Sequence, residues 1–248
     1  IDMFSGRDIV IDGDIRSPGS GRVFADATGD VILNGNIEGP DTSFFAGRQI
    51  ETTGDIVTAI PGNDQAVLLA AGFLDPIGRI RLDGDVLAPS GRLALEAPGG
   101  ISAKGAVDVG VFSLDLGTWT QLGPLPAFAA DDFRLRTGEA SFLRATGGTG
   151  SAADPYVIVD AYGLQGAGWG EFSTASFALG ADIDASGSAG WNDFGSVVLG
   201  WRPIGALGSI EDFTSEAVPY FSGSLDGRGF TVSGLTIREP GLDARDQS

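Results

Sequence analysis

The chain has no cysteine and no histidine, and Lys104 is its one lysine. Disulfides and thiolate metal sites are therefore excluded. So are imidazole bases, the commonest zinc and haem ligands, and a switch titrating near neutrality. Any chemistry has to rest on Asp, Glu, Arg, Lys or Tyr. Basic charge is scarce: 15 Lys and Arg stand against 33 Asp and Glu, a net charge of −18 over 248 residues. A surface of that sign repels nucleic acid and anionic lipid, so neither is expected as a partner. No run of 18 apolar residues is present, and no membrane-spanning helix is expected. The chain opens on Ile1 in the middle of a pattern, without a signal peptide, and reads as an internal fragment or a processed product.

Glycine is the commonest residue at 40, hydrophobic residues make up 42 %, and charged residues only 19 %. That composition belongs to a folded chain. Its organising feature is a phrase of eight residues, DIVIDGDI at 8–15, which returns as DVILNGNI (30–37), QIETTGDI (49–56), RIRLDGDV (79–86) and GISAKGAV (100–107). Each copy has an aliphatic residue second, glycine sixth and Ile or Val eighth. The glycines are Gly13, Gly35, Gly54, Gly84 and Gly105, spaced 22, 19, 30 and 21 residues apart. Alternation of Ile9 and Ile11, Val31 and Leu33, or Ile80 and Leu82 with polar neighbours is a strand pattern. One such strand cannot bury its apolar face alone, so equivalent units must stack around a shared interior. The expected fold is all-β, a parallel β-helix (β-solenoid) of about 20 residues per coil and ten or more coils, about 50 Å long. The repeated glycine is expected at a corner, either for positive φ or for close backbone approach.

A second strand lies between the phrases at 22–26, 43–47, 66–71 and 92–97, joined by turn-rich links such as SPGSG (17–21), GPDT (39–42) and PGND (61–64). Regular repeats thus occupy 1–108. An aromatic-rich continuation with loop insertions follows at 109–166, including a proline-marked link at 123–133 and glycine turns on either side of a strand at 156–160. The last third, 167–240, again alternates apolar and small residues around glycine, and 241–248 is a polar tail. Phe112, Trp119, Phe128, Phe133 and Phe142 are expected to fill the interior or to cap a widened coil.

The phrase FSGSLDGRGFTVSGLTI at 221–237 resembles the GLUG motif of bacterial surface proteins, carried here by Phe221, Gly223, Leu225, Asp226, Gly227, Gly229, Gly234 and Leu235. The approach FALGADIDASGSAGWN and WRPIG, and the units GDVILNGNI and GRIRLDGDV, are similar to segments of secreted adhesins of the filamentous haemagglutinin type. The resemblance implies a right-handed parallel β-helix and export by two-partner secretion through an outer-membrane partner. It also implies display at the bacterial cell surface as an adhesive rod without catalysis. Implied partners are a glycan or protein on a host or neighbouring cell and the flanking β-helix of a parent chain. The shared motifs are architectural, so no binding residue is transferred.

Other classes remain open. β-Helices also carry polysaccharide lyases and hydrolases, for which Asp182 and Asp184, two apart on one strand face, are the best acid pair. Asp131 and Asp132 are adjacent and would point to opposite faces. A subunit of an extracellular filament or matrix layer is a third reading. No cofactor is expected. Weak calcium binding could use Asp12, Asp14, Asp83 and Asp85 beside the corner glycines, although Asn34, Asn36, Thr53 and Lys104 interrupt that column. An asparagine ladder is not evident from only four asparagines. Trp169, Trp191 and Trp201 are expected in core or cap packing, with sugar stacking as the alternative.

Overall fold

The computed structural model describes residues 1–17, 21–58, 66–136, 139–204 and 221–238. Links 18–20 and 61–64 and the tail at 241–248 lie outside the described residues. Strand accounts for 53 % of the chain and helix for 7 %, and the strands stack in parallel into a β-solenoid of about eight turns.

The sequence pattern gives at least two strands per coil, and each regular coil has three, because the eight-residue phrase divides at its glycine into two. They are β1 (Asp2–Ser5), β2 (Ile9–Asp12) and β3 (Ile15–Arg16), followed by β4 (Arg22–Ala27), β5 (Val31–Asn34) and β6 (Ile37–Glu38). The next coil has β7 (Asp41–Ala46), β8 (Gln49–Thr52) and β9 (Ile56–Val57), and after it come β10 (Ala66–Ala71) and β11 (Arg79–Leu82). Two long strands, β12 (Val86–Ala103) and β13 (Val107–Leu122), bend around all three faces and join them into one sheet of 15 strands. β14 (Phe128–Leu135) and β15 (Ala140–Ala145) both pair with β13 and close this block. β13 runs without a break through the boundary at 108/109, and β14 takes up the second half of the proline-marked link.

Period-two alternation puts one set of side chains inside, and the parallel register aligns them in columns. Ile9, Val31, Ile50, Ile80, Ile101, Trp119 and Phe142 are successive register partners on the first face. Ile15, Ile37, Ile56, Val86, Val107 and Phe128 form the second. The third runs Val23, Thr42, Val67, Leu93, Phe112 and Phe133. All three begin aliphatic and end aromatic. The aromatic residues of 109–166 do fill the interior: Phe112, Trp119, Phe133 and Phe142 are buried, and Phe128 packs against them. Trp119 lies parallel over Phe142 at 5.9 Å between centroids, and Phe112 over Phe133 at 5.2 Å.

Beyond β15 come β16 (Tyr156–Ile158), a short helix α1 (Ala161–Gly166), β17 (Ser176–Leu179), β18 (Ile183–Asp184), β19 (Ser224–Asp226) and β20 (Val232–Ser233), with 3₁₀ turns at Gly170–Phe172 and Ser186–Gly190. β16, β17 and β19 pair in parallel, as do β18 and β20. The coil count is lower than the expected ten because the coil from Ser176 to its partner Ser224 consumes 48 residues. Eight turns at about 4.8 Å give a shaft of about 40 Å rather than 50 Å.

The helix occupies the segment that reads as a glycine turn. Asp160 caps it by accepting from the Gly163 N–H at 2.8 Å. Its glycines face the last coil, where a Cβ on Gly163 would lie 2.4 Å from the Arg144 carbonyl oxygen and one on Gly166 2.3 Å from that of Phe142. Tyr162 reaches from the helix to donate to the Ala130 carbonyl and to accept from the Ala130 N–H.

Candidate functional site

Two features distinguish this molecule chemically: a corner repeated in every regular coil, and a groove on the neighbouring face. At the corner the repeat glycines lie one above the next. A Cβ on Gly35 would sit 2.4 Å from the Gly13 carbonyl carbon, and one on Gly54 2.4 Å from that of Gly35. Gly84 and Gly105 would strike the carbonyl oxygens of Gly54 and Gly84 at 2.3 and 2.0 Å. Close backbone approach is therefore the reason for glycine here. Only Gly13, first in the column, combines the position with a positive φ of 115°.

The residue after each glycine continues the pattern. Asp14 accepts from the Asn36 N–H at 2.9 Å, Asn36 from the Asp55 N–H at 2.9 Å, Asp55 from the Asp85 N–H at 2.8 Å, and Asp85 from the Ala106 N–H at 2.7 Å. This is a side-chain ladder. It contradicts the expectation of none because asparagine alone is the wrong signal: Asp and Asn both offer Oδ1 as an acceptor. Four of the five residues before the glycines pair with one another, Asn34 donating to Asp12 at 2.8 Å and Lys104 bridging to Asp83 at 3.1 Å, while Thr53 donates to the Leu33 carbonyl at 3.4 Å. Of the acids considered for calcium, Asp14 and Asp85 are thus committed to backbone N–H groups, and Asp12 and Asp83 to the residues that interrupt the column. Among the described residues no group of three Asp or Glu side chains converges as a metal site would require.

Asp182 has a similar task and Asp184 a local one. Asp182 accepts from the Thr231 N–H of the next coil at 2.8 Å, and Asp184 accepts from the Ser186 N–H at 2.9 Å, which holds its carboxyl below the usual carboxylate range. Asp131 is exposed while Asp132 is buried, on opposite sides as the pattern implies. Asp132 accepts from Arg134 Nε at 2.7 Å and from the Asn192 N–H at 2.7 Å, and burial raises its pKa against those contacts. It fastens the 191–193 segment to β14.

Trp169, Trp191 and Trp201 are all buried. Trp191 lies between Tyr162 at 5.2 Å and Trp201 at 5.7 Å, and the Arg202 guanidinium sits 4.1 Å over the Trp169 ring. Arg202 donates to the Leu135 carbonyl at 2.9 Å, and burial pushes its pKa down to about 10. Arg144, equally buried, donates to Asp160 at 2.7 Å and to the Pro126 carbonyl at 2.7 Å. Isolated arginines carry no sequence signal for such positions.

The GLUG-type residues lie in the last described coil. Phe221 packs 6.4 Å from Phe177 and Leu225 is in register with Phe177. A Cβ on Gly223 would lie 1.9 Å from the Ala175 carbonyl oxygen, Asp226 accepts from the Arg228 N–H, and Gly229 and Gly234 have positive φ. A Cβ on Gly227 would meet nothing, and Leu225 and Leu235 are about two-fifths exposed. These residues build a coil and bring no reactive groups together.

The groove crosses β8, β11 and the ends of β12 and β13, with a volume of about 600 Å³. Glu51, Arg79, Arg81, Ser102 and Thr120 project into it, Pro98 and Gly99 form one wall, and Glu171 stands at another edge. No sequence motif marks it, because its residues come from four successive coils.

The fold defines the chain as a β-solenoid. No family model matches the sequence and no solved structure matches it. Among curated proteins it is similar to halomucin of Haloquadratum walsbyi, 39 % identical over 97 residues. That stretch is 39 % of this chain and 1 % of halomucin, so the relative is on the order of a hundred times longer than the matched segment. No helix among the described residues is long and apolar enough to cross a membrane.

Proposed function

We propose that the chain is a non-catalytic shaft segment of a much longer secreted or surface-displayed protein, part of a rod that holds adhesive contacts away from the cell. The observation that carries this reading is the corner: glycine and Asp/Asn are committed, coil after coil, to holding one backbone on the next. Of the acids best placed for catalysis by sequence, Asp182 is engaged the same way on the Thr231 N–H of the next coil, and Asp184 is taken up by the Ser186 N–H of its own turn. The similarity to a stretch of a protein as long as halomucin supports a modular place in a large chain, and the resemblance to haemagglutinin-type exoproteins suits the same architecture.

Antibodies raised against the segment test the reading on intact cells that encode it. Labelling of the outer surface, with loss of cell adherence when the segment is deleted, is the expected result. Labelling only after lysis, or new chain ends when the purified segment is incubated with polysaccharides, would overturn it.

A further inference from the structure

The groove on the β8–β11–β12–β13 face has features that shaft building does not require. In a chain of net charge −18 its four charged lining residues balance, Glu51 and Glu171 against Arg79 and Arg81. Arg81 is already engaged, 2.8 Å from Asp83 and 3.7 Å from Glu51. Arg79 is exposed, and among the described residues its guanidinium has no hydrogen-bond or ion-pair partner.

A second observation concerns the rim. The link between β10 and β11 is a seven-residue loop, 72–78, where the equivalent link between β7 and β8 has two residues. It is held by its own contacts: the Ile77 N–H donates to Asp75 Oδ1 at 3.0 Å and the Gly78 N–H to the Asp75 carbonyl at 2.9 Å. It presents Phe73, Leu74 and Ile77 with 55, 63 and 64 % of their surfaces exposed. Its base abuts the groove wall, for a Cβ on Gly99 would lie 2.0 Å from the Ile77 carbonyl oxygen. The loop lies outside the groove lining but adjoins its Pro98–Gly99 wall, so exposed apolar surface and an unspent cation stand side by side, the two kinds of contact that a ligand site combines.

We propose that this groove binds a short stretch of an acidic polysaccharide, held locally at Arg79 against the long-range repulsion of a surface of net charge −18, which salt screens beyond about 10 Å. A uronate carboxylate takes the planar fork of Arg79, sugar hydroxyls meet Ser102 and Thr120, and the loop offers apolar surface to the ring faces. The volume lies within the roughly 300–1,000 Å³ common for small-ligand sites. The site stands independently of whether the chain is a shaft segment.

Calorimetric titration of the chain with oligogalacturonate hexamer, and with cellohexaose as the neutral counterpart, tests the proposal. At about 0.15 M salt, where the long-range repulsion is screened, saturable binding of the acidic hexamer is expected, at least ten-fold tighter than the neutral one. Arg79→Gln should reduce it ten-fold or more, Phe73→Ser several-fold, and Ser102→Trp, which fills the groove from an exposed position, should abolish it. Arg16→Gln, on a different face, should leave it unchanged. Absence of saturable binding by the intact chain, equal affinity for both hexamers, or undiminished affinity in folded Arg79→Gln and Ser102→Trp variants would overturn the proposal.

Discussion

The regular coils up to β12 and the aromatic coils from β13 onward solve one problem with opposite means. In the first, coil spacing is set at the corner by what is missing, a Cβ on each glycine, and by one carboxamide or carboxylate per coil reaching to the next backbone. In the second the glycine column ends, close backbone approach is left to single glycines such as Gly163, Gly166 and Gly223, and most of the packing comes from inside, from parallel ring pairs and buried arginines tied to carbonyl groups. The lesson is that a solenoid can be held together by close backbone approach or by side-chain volume. The former repeats and the latter does not.

Substitutions that strike one mechanism at a time sharpen that contrast. Trp119→Ala removes one of the two largest fully buried rings and should cost about 3–5 kcal/mol, read by urea unfolding, with the near-ultraviolet signal of the aromatic block lost first. Gly54→Ala drives a methyl into the Gly35 backbone and should cost about 2–3 kcal/mol, with the regular coils unfolding at lower urea while the aromatic signal persists. If both variants unfold the whole chain in one step at the same denaturant, the two blocks are a single cooperative unit and the contrast is only geometric. Thr42 interrupts an otherwise apolar column, and its buried hydroxyl has no partner. Thr42→Val should therefore raise stability by about 1–2 kcal/mol, measured by the same titration. Asp55→Ala should cost about 1 kcal/mol and Asp55→Asn much less, since Asn36 already does the same work one coil earlier. The smallest effect belongs to the exposed Arg16–Glu38 pair, whose removal by Arg16→Gln should stay within about 0.5 kcal/mol.

What could be read from the sequence follows the same division. Ile9, Gly13 and Ile15 announce themselves because identical constraints return in every coil, and repetition turns weak local patterns into a fold. Helix α1 was hidden by Gly163 and Gly166, residues of low helix propensity that are used because the helix lies directly on backbone. Arg144, Arg202 and Asp132 were hidden because each is buried once, under segments distant in sequence, even where one partner, Arg134 for Asp132, is close by. The Asp/Asn ladder lay between: its residues were noticed as acids beside glycine, and only the three-dimensional register shows that Oδ1 of each points at the N–H of its successor. Arg79 gave no sign of being unpaired, since that depends on which neighbours Arg81 has already taken.

The ladder also has an arrow. From Asp14 to Asp85 the acceptor belongs to the earlier coil and the donor to the later one. A chain emerging amino end first would therefore complete each coil with an acceptor already waiting for the strand still to come. The finished part acts as a mould for the unfinished part. Extension toward the carboxyl end has a prepared docking group at every step, whereas growth in the reverse sense would have to leave each of those backbone N–H groups without its acceptor until the preceding coil arrived.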